Sequence, residues 1–148
     1  MRALRHLDYP PAWLALFMAL AWMVALVHAP LGGAFLWPGA ALVVGALALM
    51  VWAAMAFRRV RTTIVPHREP DALVETGPYR ISRNPIYVAD LAIFVGWCLA
   101  LGAPLALLLT VPLWWALRQR FVLPEERRLD EHLGAPYDRY RARVRRWL

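Results

Sequence analysis

From residue 9 to residue 57 the chain carries no aspartate, glutamate, arginine or lysine. Nothing else in the sequence constrains the fold as strongly. A crossing of the bilayer takes about 20 apolar residues, so the run is too long for one helix. It is punctuated at Ala29-Pro-Leu-Gly-Gly33. The expectation is two helices, roughly 11–28 and 37–57, joined by an uncharged turn. A second apolar region covers 85–117, with Asp90 as its sole charge and Gly102-Ala103-Pro104 as its interruption. It predicts two shorter helices, about 85–101 and 104–121, forming a tight hairpin. Tilt or local thinning would let such short helices cross.

Composition agrees. Hydrophobic residues make up 61% of the 148, and the mean hydropathy is +0.44, above the range of soluble domains. The net charge is +7 and every basic residue is an arginine. These arginines flank apolar runs rather than covering one soluble face. That points to anionic lipid headgroups and away from nucleic acid. The single cysteine, Cys98, lies in an apolar run and reads as a packing residue.

Arginine placement gives an orientation. Arg2 and Arg5 precede the first helix, six arginines lie between the second and third, and nine follow from Arg118. The turns near Gly32 and Gly102 carry none. Four crossings with both termini in the cytoplasm satisfy every loop. The first helix could instead be a signal peptide with cleavage near Val27-His28-Ala29, but Pro30 directly after that point disfavours it.

The tail from Pro124 reads as helical, over about 124–133 and 136–147. Pro124 suits a first helical position, Glu125 and Glu126 suit a first turn, and Gly134 suits a helix end. In the last piece Tyr137, Tyr140, Val144 and Trp147 recur at helical spacing among arginines. This predicts an amphipathic helix on the cytoplasmic leaflet. The fold class is therefore all-α: one integral membrane domain over 1–148, with four transmembrane helices and a cytoplasmic helical tail.

Two polar clusters abut the predicted helix ends, and the 85–121 hairpin brings them to one side. The first is Leu73-Val-Glu-Thr-Gly-Pro-Tyr-Arg-Ile-Ser-Arg-Asn-Pro-Ile-Tyr87; the second is Arg118-Gln-Arg-Phe-Val-Leu-Pro-Glu-Glu-Arg-Arg-Leu129. Arg83 can grip a carboxylate with two parallel hydrogen bonds. Glu125 or Glu126 can accept from an ammonium or from ribose hydroxyls. Tyr79 and Tyr87 can cover a flat ring or a cation. A zwitterionic amino acid joined to a nucleoside meets these demands, and S-adenosylmethionine is such a molecule. Each feature also has a plainer account in positive-inside placement, a turn or a helix cap. Asp90 lies one turn after Tyr87 on the same helical face. It either points into a pocket or orients Arg83 or Tyr87, or else sits near the interface and reaches water. His28 and His132 read as non-catalytic, and no metal-ligand spacing occurs.

Thr62-Thr63, the stretch Ala72–Tyr87, Pro124-Glu-Glu-Arg-Arg-Leu129 and Leu133-Gly-Ala-Pro-Tyr-Asp-Arg-Tyr140 together resemble the isoprenylcysteine carboxyl methyltransferase family. That family belongs with the membrane phospholipid methyltransferases. The resemblance covers roughly 58–147 and implies a pocket for S-adenosylmethionine between the last membrane helices and the tail. It matches Leu73 and Val74 to backbone and apolar cofactor contacts and Tyr79 to a cofactor-contacting tyrosine. Arg83-Asn84-Pro85-Ile86-Tyr87 matches the family's Arg-His-Pro-x-Tyr motif. Glu125-Glu126 matches its paired glutamates, one of which contacts the cofactor. Arg120 falls close to an arginine linked to substrate in the eukaryotic enzymes, at a slightly different spacing. Asn84 departs from the histidine of many members and cannot act as a base near neutral pH.

The expectation is a methyltransferase acting on a lipophilic acceptor, either a carboxylate, a phospholipid amine or a thiol. Tyr79, Arg83, Tyr87 and Glu125 hold the cofactor, while Glu126 and Arg120 shape the acceptor side. Asp90 or Glu126 takes a proton if the acceptor is an amine. The alternative from another class is a non-catalytic lipid-binding or assembly subunit of the same fold.

Overall fold

The computed structural model describes residues 9–27, 33–60 and 73–148. Arg2, Arg5, His28, the turn at 29–32 and residues 61–72, with Thr62-Thr63, lie outside the described residues. The described chain is helical, with no β-strand. It forms α1 (Pro10–Val27), α2 (Leu36–Val60), α3 (Pro85–Ala100), α4 (Thr110–Leu117), α5 (Leu123–Leu133) and α6 (Ala135–Arg143). Two helical segments are long and apolar enough to cross a membrane, Pro10–Val27 and Gly33–Arg59; Pro85–Ala100 is apolar but shorter.

Small residues set the central packing. α2 and α3 run antiparallel, and their backbones nearly touch at Gly39 and Gly96. A Cβ on Gly39 would stand 2.5 Å from the Gly96 carbonyl oxygen and the Ala100 nitrogen. Ala46, seven residues after Gly39, is buried with Ala89 and Ile93. Ala53 and Ala56 continue that face to a cluster with Val74 and Tyr79. Small residues at such intervals let apolar helices approach closely, and dispersion then holds them.

α1 and the α4 region close the other side. Phe17 meets Phe94 edge-on at 6.3 Å, Trp22 stacks on Trp97, and the Trp97 Nε1–H donates to the Met18 carbonyl at 3.2 Å. The core joins these helices through Phe17, Ala21, Phe94, Cys98, Leu113 and Leu117. Away from it, Trp22, Leu26, Trp37, Val44, Leu108 and Trp115 are exposed. Contacts at one end of the bundle join Trp13 of α1 to Arg120, Phe57 of α2 to Tyr79, and Tyr87 of α3 to Phe121. The four helices thus alternate in direction, and the polar segments gather at one end.

Two expectations are corrected. The helix expected over 104–121 begins as a 3-10 run, Pro104–Leu109, becomes α4, and does not stop at 121. It passes through a π-helical turn, Arg118–Val122, straight into α5. Pro124 read as a helix start because it lacks a donor. Here the wider turn just before it absorbs the proline, as π-bulges do. The second correction is to the helix expected over 136–147. α6 ends at Arg143 and Val144 is extended, with φ −116° and ψ 131°. Residue 145 then pairs in parallel with Ser82 as an isolated β-bridge. Tyr137 and Tyr140 turn inward, 2% and 3% exposed, rather than along a membrane leaflet.

Candidate active site

The loop before α3 is shaped by Gly77, whose φ of +61° suits glycine. A Cβ there would also press on the Trp52 indole nitrogen at 3.2 Å. The 3-10 turn Gly77–Arg80 that follows seats Tyr79 edge-on against Phe57, ring centroids 5.2 Å apart. Val74 and Tyr79 are buried in this packing, and Leu73 is half-buried. The Tyr140 hydroxyl donates to the Tyr79 carbonyl at 2.8 Å. Burial raises the pKa of both phenols, so both stay neutral.

Asn84 precedes Pro85 at the start of α3, where an asparagine ordinarily caps the helix. Its side chain makes no cap hydrogen bond. Its Nδ2 instead donates to Glu126 Oε1 at 3.3 Å and to the Arg146 carbonyl at 3.1 Å. The proline ring pre-sets the first helical turn, which leaves the asparagine side chain for tertiary contacts.

The paired glutamates diverge. Glu125 Oε1 accepts from the Tyr87 hydroxyl at 2.8 Å, and Tyr87 stacks on Phe121. Glu126, 9% exposed, turns to the loop and the chain end. Arg146 Nε reaches both its oxygens at 3.0 Å and Nη2 reaches Oε2 at 2.8 Å. Arg83 Nη2 stands 3.6 Å from Oε1, and Arg83 Nη1 donates to the Tyr137 hydroxyl at 3.2 Å. A buried carboxylate between two guanidiniums is compensated both by charge and by hydrogen bonds. The same contact with Glu126 raises the pKa of Arg146.

Arg83, Glu126, Tyr137 and Arg146 line a cleft of about 310 Å³, completed by Leu123, Arg127, Asp130 and Arg141. Arg83 Nε is buried with no hydrogen-bond partner. Asp90 lies deeper in α3. It is 3% exposed and its Oδ2 is also without a partner, so it does not reach water at an interface. Arg120, on the π turn, lays its guanidinium over the Trp13 ring at 4.9 Å.

The structure thus brings Arg83, Asn84, Glu125, Glu126 and Tyr87 together at one end of the bundle. It adds Ser82, Tyr137 and Arg146, which the sequence did not single out as site residues. Ser82 accepts from the Asn84 backbone N–H at 3.1 Å and donates to the Arg146 carbonyl. The Tyr137-x-x-Tyr140 spacing offered a hint, since residues three apart share a helical face. Arg146 offered none: among five arginines in ten residues it looked like solvated charge.

An all-helical chain with membrane-length apolar helices and an arginine–glutamate cluster at their ends has the makings of a membrane enzyme. The family comparison makes that specific. The Phospholipid methyltransferase family model matches residues 34–135, which covers α2 through α5 and both motifs. The chain belongs to that family, a family of methyltransferases. Comparisons with curated proteins and with solved structures find no match. Arg146, Tyr137 and Tyr140 lie beyond the matched stretch.

Proposed function

We propose that the protein is an S-adenosylmethionine-dependent methyltransferase of the membrane, acting on a lipophilic acceptor. One observation carries the reading. Two motifs forty residues apart close on each other through the Asn84–Glu126 and Tyr87–Glu125 hydrogen bonds, at 3.3 Å and 2.8 Å. Of the proposed cofactor residues, Arg83 is the one that lines the cleft, and its chemistry suits the carboxylate end of the cofactor. Arg83 Nε is a buried donor without a partner, beside a cleft of about 310 Å³. That volume is at the small end for ligand sites and suits the polar, amino-acid end of a ligand. Asp90 Oδ2 is a buried acceptor without a partner, and a donor on the acceptor molecule would satisfy it.

When bound, S-adenosylmethionine supplies a methyl group on a positively charged sulfur, which an acceptor lone pair displaces in line. Arg83 binds the carboxylate, while Tyr79 and Tyr87 wall the ring side. Leu73, Val74, Asn84 and Pro85 hold that wall, and Glu125 accepts from hydroxyl or ammonium protons. Glu126 keeps Arg83 oriented, and Arg120 borders the acceptor path beside Trp13. Such a displacement needs orientation and exclusion of water more than it needs an acid or base. Asn84 therefore serves where a histidine would not be required. For an amine acceptor, Asp90 takes the departing proton; a carboxylate or thiolate needs no such step.

The helices cross the membrane four times, α3 and α4 as a short hairpin, with both termini on the cytoplasmic side; the all-arginine composition points to a bacterial inner membrane. Arg58, Arg59 and the exposed Arg128 then meet anionic headgroups. The cofactor enters from water and the acceptor from lipid. The test is transfer of a labelled methyl group from S-adenosylmethionine to membrane lipid extracts, small lipophilic acids and thiols. A labelled lipid-soluble product is expected with the intact protein and not with Arg83→Ala. Failure to label any of these acceptors contradicts the reading.

A further inference from the structure

After α6 the backbone doubles back along the loop that carries the first motif. The Arg83 amide donates to the Arg145 carbonyl at 2.9 Å. The Arg146 carbonyl accepts from Ser82 Oγ at 3.3 Å and from Asn84 Nδ2 at 3.1 Å. The Arg146 side chain then crosses to α5 and grips Glu126 with Nε and Nη2 at 2.8–3.0 Å. One residue therefore ties the Ser82–Asn84 loop to the second glutamate of the pair. It is also the least exposed arginine of the tail: its side chain is 34% exposed, against 48% for Arg141 and 65% for Arg143.

Without that grip, Glu126 would keep Asn84 and the longer Arg83 contact at 3.6 Å. A buried carboxylate that loses a partner is left poorly compensated, and closing on the nearest cation would offset that. Here that cation is Arg83, the group facing the cleft. We propose that Arg146 is a positioning residue: by neutralising Glu126 and pinning the Arg83-Asn84 loop, it leaves Arg83 free to bind a ligand carboxylate. The proposal rests on the cofactor reading above and extends it to a segment outside the stretch that matches the family model.

Three proteins test it: Arg146→Gln, Arg146→Lys and a chain ending at Arg143. Binding of S-adenosylhomocysteine is titrated by calorimetry in lipid nanodiscs. Exchange of the Arg83 amide is followed in the same samples, with the α3 amides as an internal check on folding. Arg146→Gln weakens binding by about tenfold or more, as expected for loss of a charged hydrogen-bond partner. Arg146→Lys restores part of it, because a lysine keeps the charge without the two-pronged grip. In the shortened chain the Arg83 amide exchanges freely while α3 stays protected. Wild-type affinity in Arg146→Gln overturns the proposal, as does a protected Arg83 amide in the shortened chain. If the wild-type protein itself fails to bind, the cofactor reading falls, and the Arg83 amide alone decides whether the chain end clamps the loop.

Discussion

Glu126 is the residue on which the polar cluster turns. It satisfies Arg146, Asn84 and the inner side of Arg83 at once. Glu126→Ala removes a carboxylate shared by two guanidiniums and should lower stability by about 3 kcal/mol, as breaking buried pairs does. Thermal or denaturant unfolding in nanodiscs measures it, and a loss no larger than that of an exposed control such as Glu131→Ala would contradict it. Tyr140 makes a pH-dependent contribution. Burial raises its pKa in the folded protein above the ordinary 10.0, so the folded state holds the proton more tightly than the unfolded one. Its stabilisation is complete below pH 10 and is lost as the pH rises beyond. Ionised Tyr140 can no longer donate to the Tyr79 carbonyl. Tyr140→Phe should therefore be less stable at neutral pH, by about 1 kcal/mol. It should also lose less stability than the wild type between pH 9 and 11. Equal alkaline slopes in melting curves would count against this.

Residue types were readable from the sequence here, but partners were not. Arg83, Asn84 and Glu126 could be selected because turns and helix ends bracketed them. That Asn84 would forgo its helix cap for Glu126 depends on where Arg146 lands, and no local pattern encodes a contact sixty residues away. Asp90 is similar. Its helical face followed from periodicity, whereas its burial, at 3% exposed, depends on how the neighbouring helices pack around α3.

Among the elements, α2 and α3 were legible as helices because each is a long apolar run, interrupted in α3 only by Asp90, that abuts the charged segment between them. Their close approach rests on Gly39 and Gly96. Gly39→Leu would drive a side chain into the backbone of Gly96 and Ala100, where even a Cβ meets atoms at 2.5 Å. A helix backbone cannot yield as a flexible side chain can, so the helices must separate. A loss of more than about 3 kcal/mol is expected, at the large end for single substitutions. Gly45 lies on the same helix with nothing within 4 Å of its Cβ position. Gly45→Ala should be neutral or slightly stabilising, by up to about 1 kcal/mol from helix propensity alone. Reversal of that order in unfolding measurements would refute the packing account. The tail was less legible. A proline before two glutamates looks like a helix start, and only the preceding π turn shows the helix passing through. The run Tyr137, Tyr140, Val144, Trp147 has helical spacing, yet the backbone leaves the helix at Val144, and the Arg145 carbonyl then accepts from the Arg83 amide in the loop, a partner that local spacing does not encode.

At the scale of the whole molecule, charge placement predicts which ends share a compartment, and the alternating helix directions agree with it. The proposed orientation puts Leu105 outside and Arg59 and Arg128 inside. Single cysteines at those positions, in a Cys98→Ser background, should react accordingly with an impermeant maleimide. Leu105→Cys reacts in intact cells, while Arg59→Cys and Arg128→Cys react only in inverted vesicles. Labelling of all three from one side would refute four crossings. The Arg83–Asn84 and Glu125–Glu126 motifs are proposed to form one cofactor site. Titration of the purified protein with S-adenosylhomocysteine tests it most directly. Saturable binding is expected, weakened in Arg83→Ala and in Glu125→Ala. Equal affinity in both variants would move the site elsewhere in the molecule, and no saturable binding by the wild-type protein would contradict the claim itself.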